Sequence, residues 1–226
     1  IGCGAGGKSL YYAKMGAEKV IGVDIVPEYA DESAALAEKL GLSDKFTFVC
    51  SSACELPFSD GSFDTIIMND FFEHVSEPKA ALLEALRLLK AGGKIYVNFP
   101  PYFHPFGAHL SDAIYIPWVH LFFTQKTIIK AYKELISGVL DEKERLKLRF
   151  STDENGKTRY TYINKMTVKR FKRLISELQI HPKYLFYAPL RGFLKPLTKV
   201  PVIKELFIKM VVCVIEKPDK LLSNKK

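Results

Sequence analysis

The residues with the clearest chemical potential stand at the start of the chain. Gly2-Cys3-Gly4-Ala5-Gly6-Gly7 lies where apolar Ile1 gives way to a helix-forming stretch. Glycines at a strand-to-helix turn let the backbone bend tightly and approach a ligand closely, while the helix N-terminus offers N–H groups. The spacing reads two ways: Gly2, Gly4 and Gly7 satisfy G-x-G-x-x-G, whereas Gly2, Gly4 and Gly6 satisfy G-x-G-x-G. Asp24 follows Gly4 by 20 residues and closes the apolar stretch Lys19–Val23. A carboxylate there can accept hydrogen bonds from both hydroxyls of a ribose. The pair points to a ribose-bearing cofactor and leaves a nicotinamide dinucleotide and S-adenosylmethionine both open.

A second group gathers later. Four of the five histidines fall between His74 and His120, and three of them, His104, His109 and His120, follow the predicted strand Lys94–Phe99 together with Tyr102, Asp112 and Trp118. That end of an open α/β sheet is where ligands bind. Imidazoles in an aromatic surrounding suit a substrate pocket with a general base, although each histidine taken singly is better explained as a structural residue. His104, His109, Asp112 and His120 fit no metal-ligand template, and no metal site is expected. The cysteines, Cys3, Cys50, Cys54 and Cys213, show no paired zinc spacing and read as reduced thiols of a cytoplasmic protein.

Alternating signals surround these groups. Helices are predicted over 8–15, 28–40 and 79–90, the last closed by Gly92-Gly93, and strands over 19–24, 46–50, 63–68 and 94–99. This rhythm means βαβ units and a doubly wound, mostly parallel sheet. After Pro100-Pro101 it breaks into an aromatic and then charged region, 102–165, with one helix over 125–136. It resumes with a helix over 167–178, a strand over 183–187, a proline-broken basic helical stretch over 190–207 and a final strand over 210–216. The basic stretch reads as an amphipathic helix packed on the sheet. The expected organisation is one domain over 1–217, with 102–165 as a cap inserted after the strand 94–99, and a polar tail over 218–226.

The chain has 226 residues and a formal net charge of +8, with 48% hydrophobic and 26% charged residues. These values exclude a disordered tail, a fibre or a disulfide-stapled mini-protein. The charge is uneven: residues 1–100 carry 9 basic and 14 acidic side chains, and residues 101–226 carry 24 and 11. The basic half suits an anionic partner or, at most, peripheral contact with a membrane surface. No RNA-binding module accompanies the charge, so nucleic acid ranks below a small molecule. The apolar run Ile208–Ile215 is broken by Lys209 and is far short of the roughly 20 residues that span a bilayer.

Three further segments, Leu56-Pro57-Phe58-Ser59-Asp60-Gly61-Ser62-Phe63-Asp64, Glu73-His74-Val75 and Leu86-Arg87-Leu88-Leu89-Lys90-Ala91-Gly92-Gly93-Lys94, follow the glycine loop and Asp24 in order. In this arrangement the chain resembles the class I S-adenosylmethionine-dependent methyltransferases, above all the small-molecule group that includes those of ubiquinone and menaquinone biosynthesis. The resemblance covers residues 1 to about 101 by motif and 167–216 by pattern only. It implies a Rossmann-like sheet of seven strands with the last antiparallel. It also implies S-adenosylmethionine as cofactor, with Gly2, Cys3, Gly4 and Gly6 against its methionine part, Asp24 on its ribose, Ile25 packed on its adenine and Asn69 bordering the sulfonium. Ser52-Ala53-Cys54 falls where the family has an Asp-Ala pair followed by an acid, so Ser52 replaces the carboxylate that meets the adenine amino group.

The resemblance also implies methyl transfer to a small-molecule acceptor, at an oxygen, nitrogen or carbon atom that it leaves open. Where the acceptor must lose a proton, the candidate catalytic residues are His74, His109, His120 and Tyr102. The family's first strand normally precedes the residue matching Ile1, so the chain is expected to be a fragment lacking that strand. Two rival readings are a nicotinamide-dependent oxidoreductase sharing only the glycine loop, and a non-catalytic scaffold that keeps the cofactor fold.

Overall fold

The computed structural model describes residues 1–160 and 162–218. The expected polar tail, apart from Pro218, lies outside the described residues. The chain divides into two compact units. The first comprises residues 1–71, 77–97 and 214–218; the second comprises residues 72–76 and 98–213.

The first unit begins with helix α1 (Gly7–Lys14), followed by strand β1 (Val20–Asp24), helix α2 (Tyr29–Lys39) and strand β2 (Phe46–Cys50). Strands β1 and β2 pair in parallel, with Val20 opposite Phe46 and Asp24 opposite Cys50. A parallel pair needs a crossover, and α2 supplies it. Leu10 and Ala13 of α1, Ala37 of α2, Leu42 and Phe46 form the local core, each less than a tenth exposed. Strand β3 (Phe63–Asn69) and helix α3 (Pro78–Leu88) follow, and β3 is hydrogen-bonded to strand β4 (Leu89–Phe99).

Helix α3 has a proline in its first turn and buries Ala81, Leu82, Ala85 and Leu88, a spacing of three and four that sets one apolar stripe inward. Its Arg87 secures the turn before β3. The guanidinium donates to the carbonyls of Leu56 (3.2 Å) and Phe58 (2.9 Å) and to the carboxylates of Asp60 (2.6 Å) and Glu84 (2.7 Å). The helix ends earlier than the Gly92-Gly93 pair predicts. Leu89 is already extended, and β4 takes in both glycines. Gly93 belongs there for want of space: a Cβ would lie 2.9 Å from the Lys90 carbonyl oxygen and 3.0 Å from that of Asp64.

The second unit continues from the last two residues of β4. It contains helices α4 (Val119–Phe122), α5 (Gln125–Leu135) and α6 (Glu142–Arg149), the antiparallel hairpin of β5 (Phe150–Thr152) and β6 (Thr158–Tyr160), helix α7 (Val168–Glu177) and strands β7 (Tyr184–Pro189) and β8 (Ile208–Glu216). Strand β8 is hydrogen-bonded to β7, and its last residues return to the first unit. Thr124 and Thr167 cap α5 and α7 by accepting from the backbone N–H three residues on. One core gathers Leu110, Ile114, Ile128, Ile129, Tyr132 and Phe150. Another gathers Phe72, Phe99 and Phe171, with ring centroids 5.1 to 6.1 Å apart.

Two expectations need correction. The strands do not form one seven-stranded sheet: β1 and β2 stand as a two-stranded sheet of their own, apart from β3 and β4, and β5–β6 form another. The physical reason is that among the described residues no strand lies between β1 and β3. The basic stretch after β7 is not an amphipathic α-helix. Pro196 interrupts it and Pro201 follows, so it forms two 3-10 segments, Gly192–Lys199 and Lys204–Phe207, with no buried residue. Phe193 there is 80% exposed. Among the described residues no helix is long and apolar enough to cross a membrane.

Candidate functional site

In the first unit the glycine loop is fastened to the end of β1 by backbone groups. The N–H groups of Gly2 and Cys3 both donate to the Val23 carbonyl, at 2.8 and 3.0 Å. The next N–H, of Gly4, donates to Oδ2 of Asp24 at 2.8 Å, and Oδ1 accepts from Val26 N–H at 3.2 Å. Asp24 therefore does two things: it ties the loop to the turn after β1, and it keeps further lone pairs available, since a carboxylate offers about four acceptor positions.

The glycines of the loop differ. Gly4 has φ +52°, and a Cβ there would meet nothing within 4 Å, so its backbone faces open space that a ligand can enter. Gly6 has φ +80°, and a Cβ would stand 3.1 Å from both Phe46 and Ser33, so it serves the packing of α1 on the strands. Among the described residues no side chain caps α1, whose N-cap is Gly6. Cys3 points its thiol at the Gly4 carbonyl (3.3 Å), and burial pushes its pKa up to about 11. It is a packing residue held as a thiol, not a nucleophile.

The other expected cofactor residues lie along the same strand ends. Ile25 is 71% exposed directly after Asp24. The Ser51 N–H donates to the Asp24 carbonyl at 2.9 Å, placing Ser52-Ala53-Cys54 beyond the end of β2. The Ser52 hydroxyl oxygen accepts from Cys54 N–H at 3.3 Å and keeps its own proton to donate. Asn69, the last residue of β3, donates through Nδ2 to the Tyr12 hydroxyl at 3.0 Å. A cavity of about 710 Å³ opens beneath the loop. It is lined by Gly2, Gly4 and Asn69 at one end and runs between Val20–Val23 of β1 and Phe63–Ile67 of β3. Asp24, Ile25 and Ser52 are not among its walls, so the cavity marks the space between two strands and not the ribose and adenine positions.

The second unit sorts the candidate catalytic residues into two groups. Tyr102 and His120 meet, with ring centroids 4.8 Å apart and Nε2 of His120 2.8 Å from the Tyr102 carbonyl oxygen. That contact requires an N–H on Nε2, which leaves the lone pair on Nδ1, and Nδ1 is buried with no hydrogen-bond partner among the described residues. Burial lowers the His120 pKa, the Tyr102 carbonyl opposes this, and Lys165 adds to it, so the ring is neutral near pH 7. His104 is neutral more firmly: burial first, then His120 and Lys209, push its pKa down to about 4. Burial also raises the pKa of Tyr102.

His74 and His109 form the other group, with centroids 5.0 Å apart. They share it with Glu73, which sequence reasoning passed over because its carboxylate joins the histidines only in three dimensions. Glu73 is 3% exposed. Asp112 is committed elsewhere: it accepts from the Tyr132 hydroxyl (2.7 Å) and pairs with Arg149 (3.0 Å) and Arg145 (3.2 Å). Burial alone would raise its pKa, but the Tyr132 hydroxyl and Arg149 hold it below the usual carboxylate range, so it is a structural anion of the second unit.

Comparison with known proteins matches residues 1–97 to the family described as a methyltransferase domain. A probable tocopherol O-methyltransferase of Oryza sativa subsp. japonica is 35% identical over 97 residues, 43% of this chain and 27% of that protein. Norajmaline N-methyltransferase of Rauvolfia serpentina is 31% identical over 97 residues, 43% of this chain and 33% of that protein. The chain thus spans about a third or less of the length of these curated relatives. Among solved structures, an S-adenosylmethionine-dependent methyltransferase of Methanosarcina mazei superposes with a TM-score of 0.58 at 21% identity, covering 97% of this chain and 91% of that one. That likeness establishes the Rossmann-like α/β fold.

Proposed function

We propose that this chain, whose residues 1–97 match the methyltransferase-domain family, transfers a methyl group from S-adenosylmethionine to a small-molecule acceptor. The observation that carries the reading is the join between the Gly4 amide and the Asp24 carboxylate, at 2.8 Å, beside open space over Gly4. The residues fit the cofactor. Asp24 retains lone pairs for two ribose hydroxyls, Ile25 offers an exposed apolar surface to the adenine, and the Ser52 hydroxyl keeps a proton for a ring nitrogen, with Ala53 and Cys54 beside it. Gly2, Cys3, Gly4 and Gly6 would hold the methionine part, and Asn69 would border the sulfonium. A strand seated between β1 and β3 would join them into the seven-stranded arrangement; the 710 Å³ cavity between their edges supports this.

When bound, the cofactor supplies a methyl group already attached to a good leaving group, so the protein's task is to position the acceptor and exclude water. If the acceptor nucleophile carries a proton, the second unit's candidate for taking it is His120, at Nδ1. A buried acceptor atom without a partner costs about 1–3 kcal/mol, and a catalytic role is one explanation for its retention. The Tyr102 carbonyl holds the ring in the tautomer that leaves Nδ1 basic. The diversity of the relatives, one acting on tocopherol through oxygen and one on norajmaline through nitrogen, supports a small lipophilic acceptor and leaves its reacting atom open. The four free thiols support a reducing compartment such as the cytoplasm.

Calorimetric titration with S-adenosylhomocysteine and with NADH tests the reading. One equivalent of S-adenosylhomocysteine bound, without NADH binding, is the expected result; the reverse would sink it in favour of an oxidoreductase. Methyl transfer to tocopherols and norajmaline, followed with labelled cofactor, separates an enzyme from a scaffold. With a hydroxyl acceptor, His120→Gln is expected to lower kcat by roughly 10²- to 10⁴-fold. Wild-type kcat should fall with acid below a pKa under 6.5, and the variant should lose that dependence.

A further inference from the structure

We infer that Glu73, His74 and His109 form a binding site for one divalent transition-metal ion. One ligand atom from each, a carboxylate oxygen and two imidazole nitrogens, lies within 4.8 Å of the others. Metal bonds of about 2.1 Å in a tetrahedral site place donors about 3.4 Å apart, so a rotation of the Glu73 side chain and a shift of about an ångström close the set. Two imidazoles and a carboxylate without thiolate suit zinc, cobalt or ferrous iron, and three protein ligands leave positions for water or an anionic ligand oxygen.

The tautomer of His74 is set for this role. Its Nδ1 lies 2.5 Å from the Tyr162 carbonyl oxygen, a contact that needs an N–H on Nδ1. In the neutral ring the lone pair is then on Nε2, and Nε2 faces Oε1 of Glu73 at 3.8 Å. A nitrogen lone pair and a carboxylate oxygen turned toward one another are reconciled by a cation between them. A metal-bound histidine usually donates its second N–H to a backbone carbonyl in this manner.

The surroundings hold the donors in place. Asn164 grips the segment that carries Glu73 and His74: its side-chain amide donates to the carbonyls of Phe72 (2.7 Å) and Val75 (2.6 Å), and its backbone N–H donates to that of Glu73 (2.7 Å). His109 has φ +52°, a left-handed conformation that non-glycine residues adopt at some cost and that gathers at functional sites. The Tyr162 hydroxyl donates to the Ala108 carbonyl next to it, and its ring stacks on His74 at 6.1 Å. Glu73 is buried, and an interior carboxylate is best kept charged by a cation. The alternative is a metal-free ion pair of doubly protonated His74 with Glu73.

The full chain, stripped with a chelator, is titrated with cobalt(II) while visible absorption is read, and with zinc(II) by calorimetry. One equivalent bound through nitrogen and oxygen ligands is expected, with zinc raising the unfolding temperature. Glu73→Gln and His109→Asn should each weaken binding at least tenfold, asparagine being chosen because it tolerates the left-handed backbone; if one variant does not fold, the other carries the comparison. Asn164→Ala should weaken binding roughly 10- to 100-fold through loss of orientation. His181→Ala, at an exposed histidine, should change nothing. Absence of binding up to millimolar metal overturns the site in favour of the ion pair. Binding that survives the Glu73 and His109 changes, or that shows thiolate charge-transfer bands, assigns the metal to other residues and equally overturns it.

Discussion

The glycine loop and the histidine groups of the second unit make their contacts by different means. Around Gly2–Asp24 the polar groups are mostly backbone amides, presented by a loop and a strand end close together in sequence. One side chain, Asp24, organises them. In the second unit the work falls to side chains gathered from afar: Glu73 and His74 from a short segment after β3, His109 from a strained turn, Tyr162 and Asn164 from the region before α7. The first kind of site depends on spacing and tolerates few local changes. The second depends on tertiary packing. Asp24→Ala tests the first kind most severely. It removes the acceptor for Gly4 and Val26 together with the ribose partner, and should weaken S-adenosylhomocysteine by roughly 10²- to 10³-fold, at about 1.5–3 kcal/mol per charged hydrogen bond. Calorimetry should show cobalt binding at Glu73, His74 and His109 unchanged in this variant; joint loss of both would show that the substitution unfolds the chain and does not act on the cofactor site alone.

The same contrast explains what could be read from the residues. The glycine loop, Asp24 and the alternating elements up to Phe99 were legible because the turn chemistry, the strand-end acid and the apolar periods act over a few residues. The cofactor residues expected there all lie on the strand ends that flank the loop. The early end of α3 was missed because Gly92-Gly93 looks like a helix stop, whereas the close approach of the Asp64 carbonyl puts Gly93 in a strand. The stretch after β7 was legible as helical and proline-broken, but hydrophobic period does not tell 3-10 from α-helical winding. The pairing of Tyr102 with His120, and of Glu73 with two histidines, depends on tertiary contacts that spacing does not encode.

Acid stability sharpens the contrast next, because only the second unit buries a neutral histidine this firmly. His104 has a folded pKa of about 4 against 6.5 for a free imidazole, so the unfolded chain binds more protons between those values. Folding stability from this residue is complete above pH 6.5 and declines as the pH falls toward 4, by about 2 to 3 kcal/mol. Unfolding free energies from denaturant titrations across that range should show the slope, and His104→Gln should remove most of it. A slope unchanged in the variant would assign the acid sensitivity to other groups.

A smaller effect is expected where a side-chain network is redundant. Tyr132 is fully buried, donates to Asp112 at 2.7 Å and accepts from Nε of Arg149 at 2.7 Å. Tyr132→Phe keeps the ring packing and removes both hydrogen bonds, but Arg149 and Arg145 still pair with Asp112. The expected loss is therefore about 1–2 kcal/mol, seen as a lower denaturant midpoint with an unchanged slope. A loss well beyond this would mean that the hydroxyl, and not the arginines, keeps Asp112 ionised.

The mildest change asks whether the first site is as backbone-driven as its geometry suggests. Ser52 stands where the resemblance leads one to expect a carboxylate, and its hydroxyl oxygen already accepts from the Cys54 N–H. Aspartate readily makes the same local turn contact, so Ser52→Asp preserves the loop while adding an acceptor for an exocyclic amino group. One added hydrogen bond of about 1 kcal/mol should tighten S-adenosylhomocysteine roughly fivefold by calorimetry. The gain should be selective: a cofactor analogue lacking the adenine amino group should bind wild type and variant alike. If the natural ligand also gains nothing, adenine is held by backbone and by Ile25, and serine at position 52 costs the site little. If the variant binds more than tenfold tighter, side-chain recognition matters more at this end of the site than at the Gly4 amide, and only the loop itself is built mainly from backbone groups.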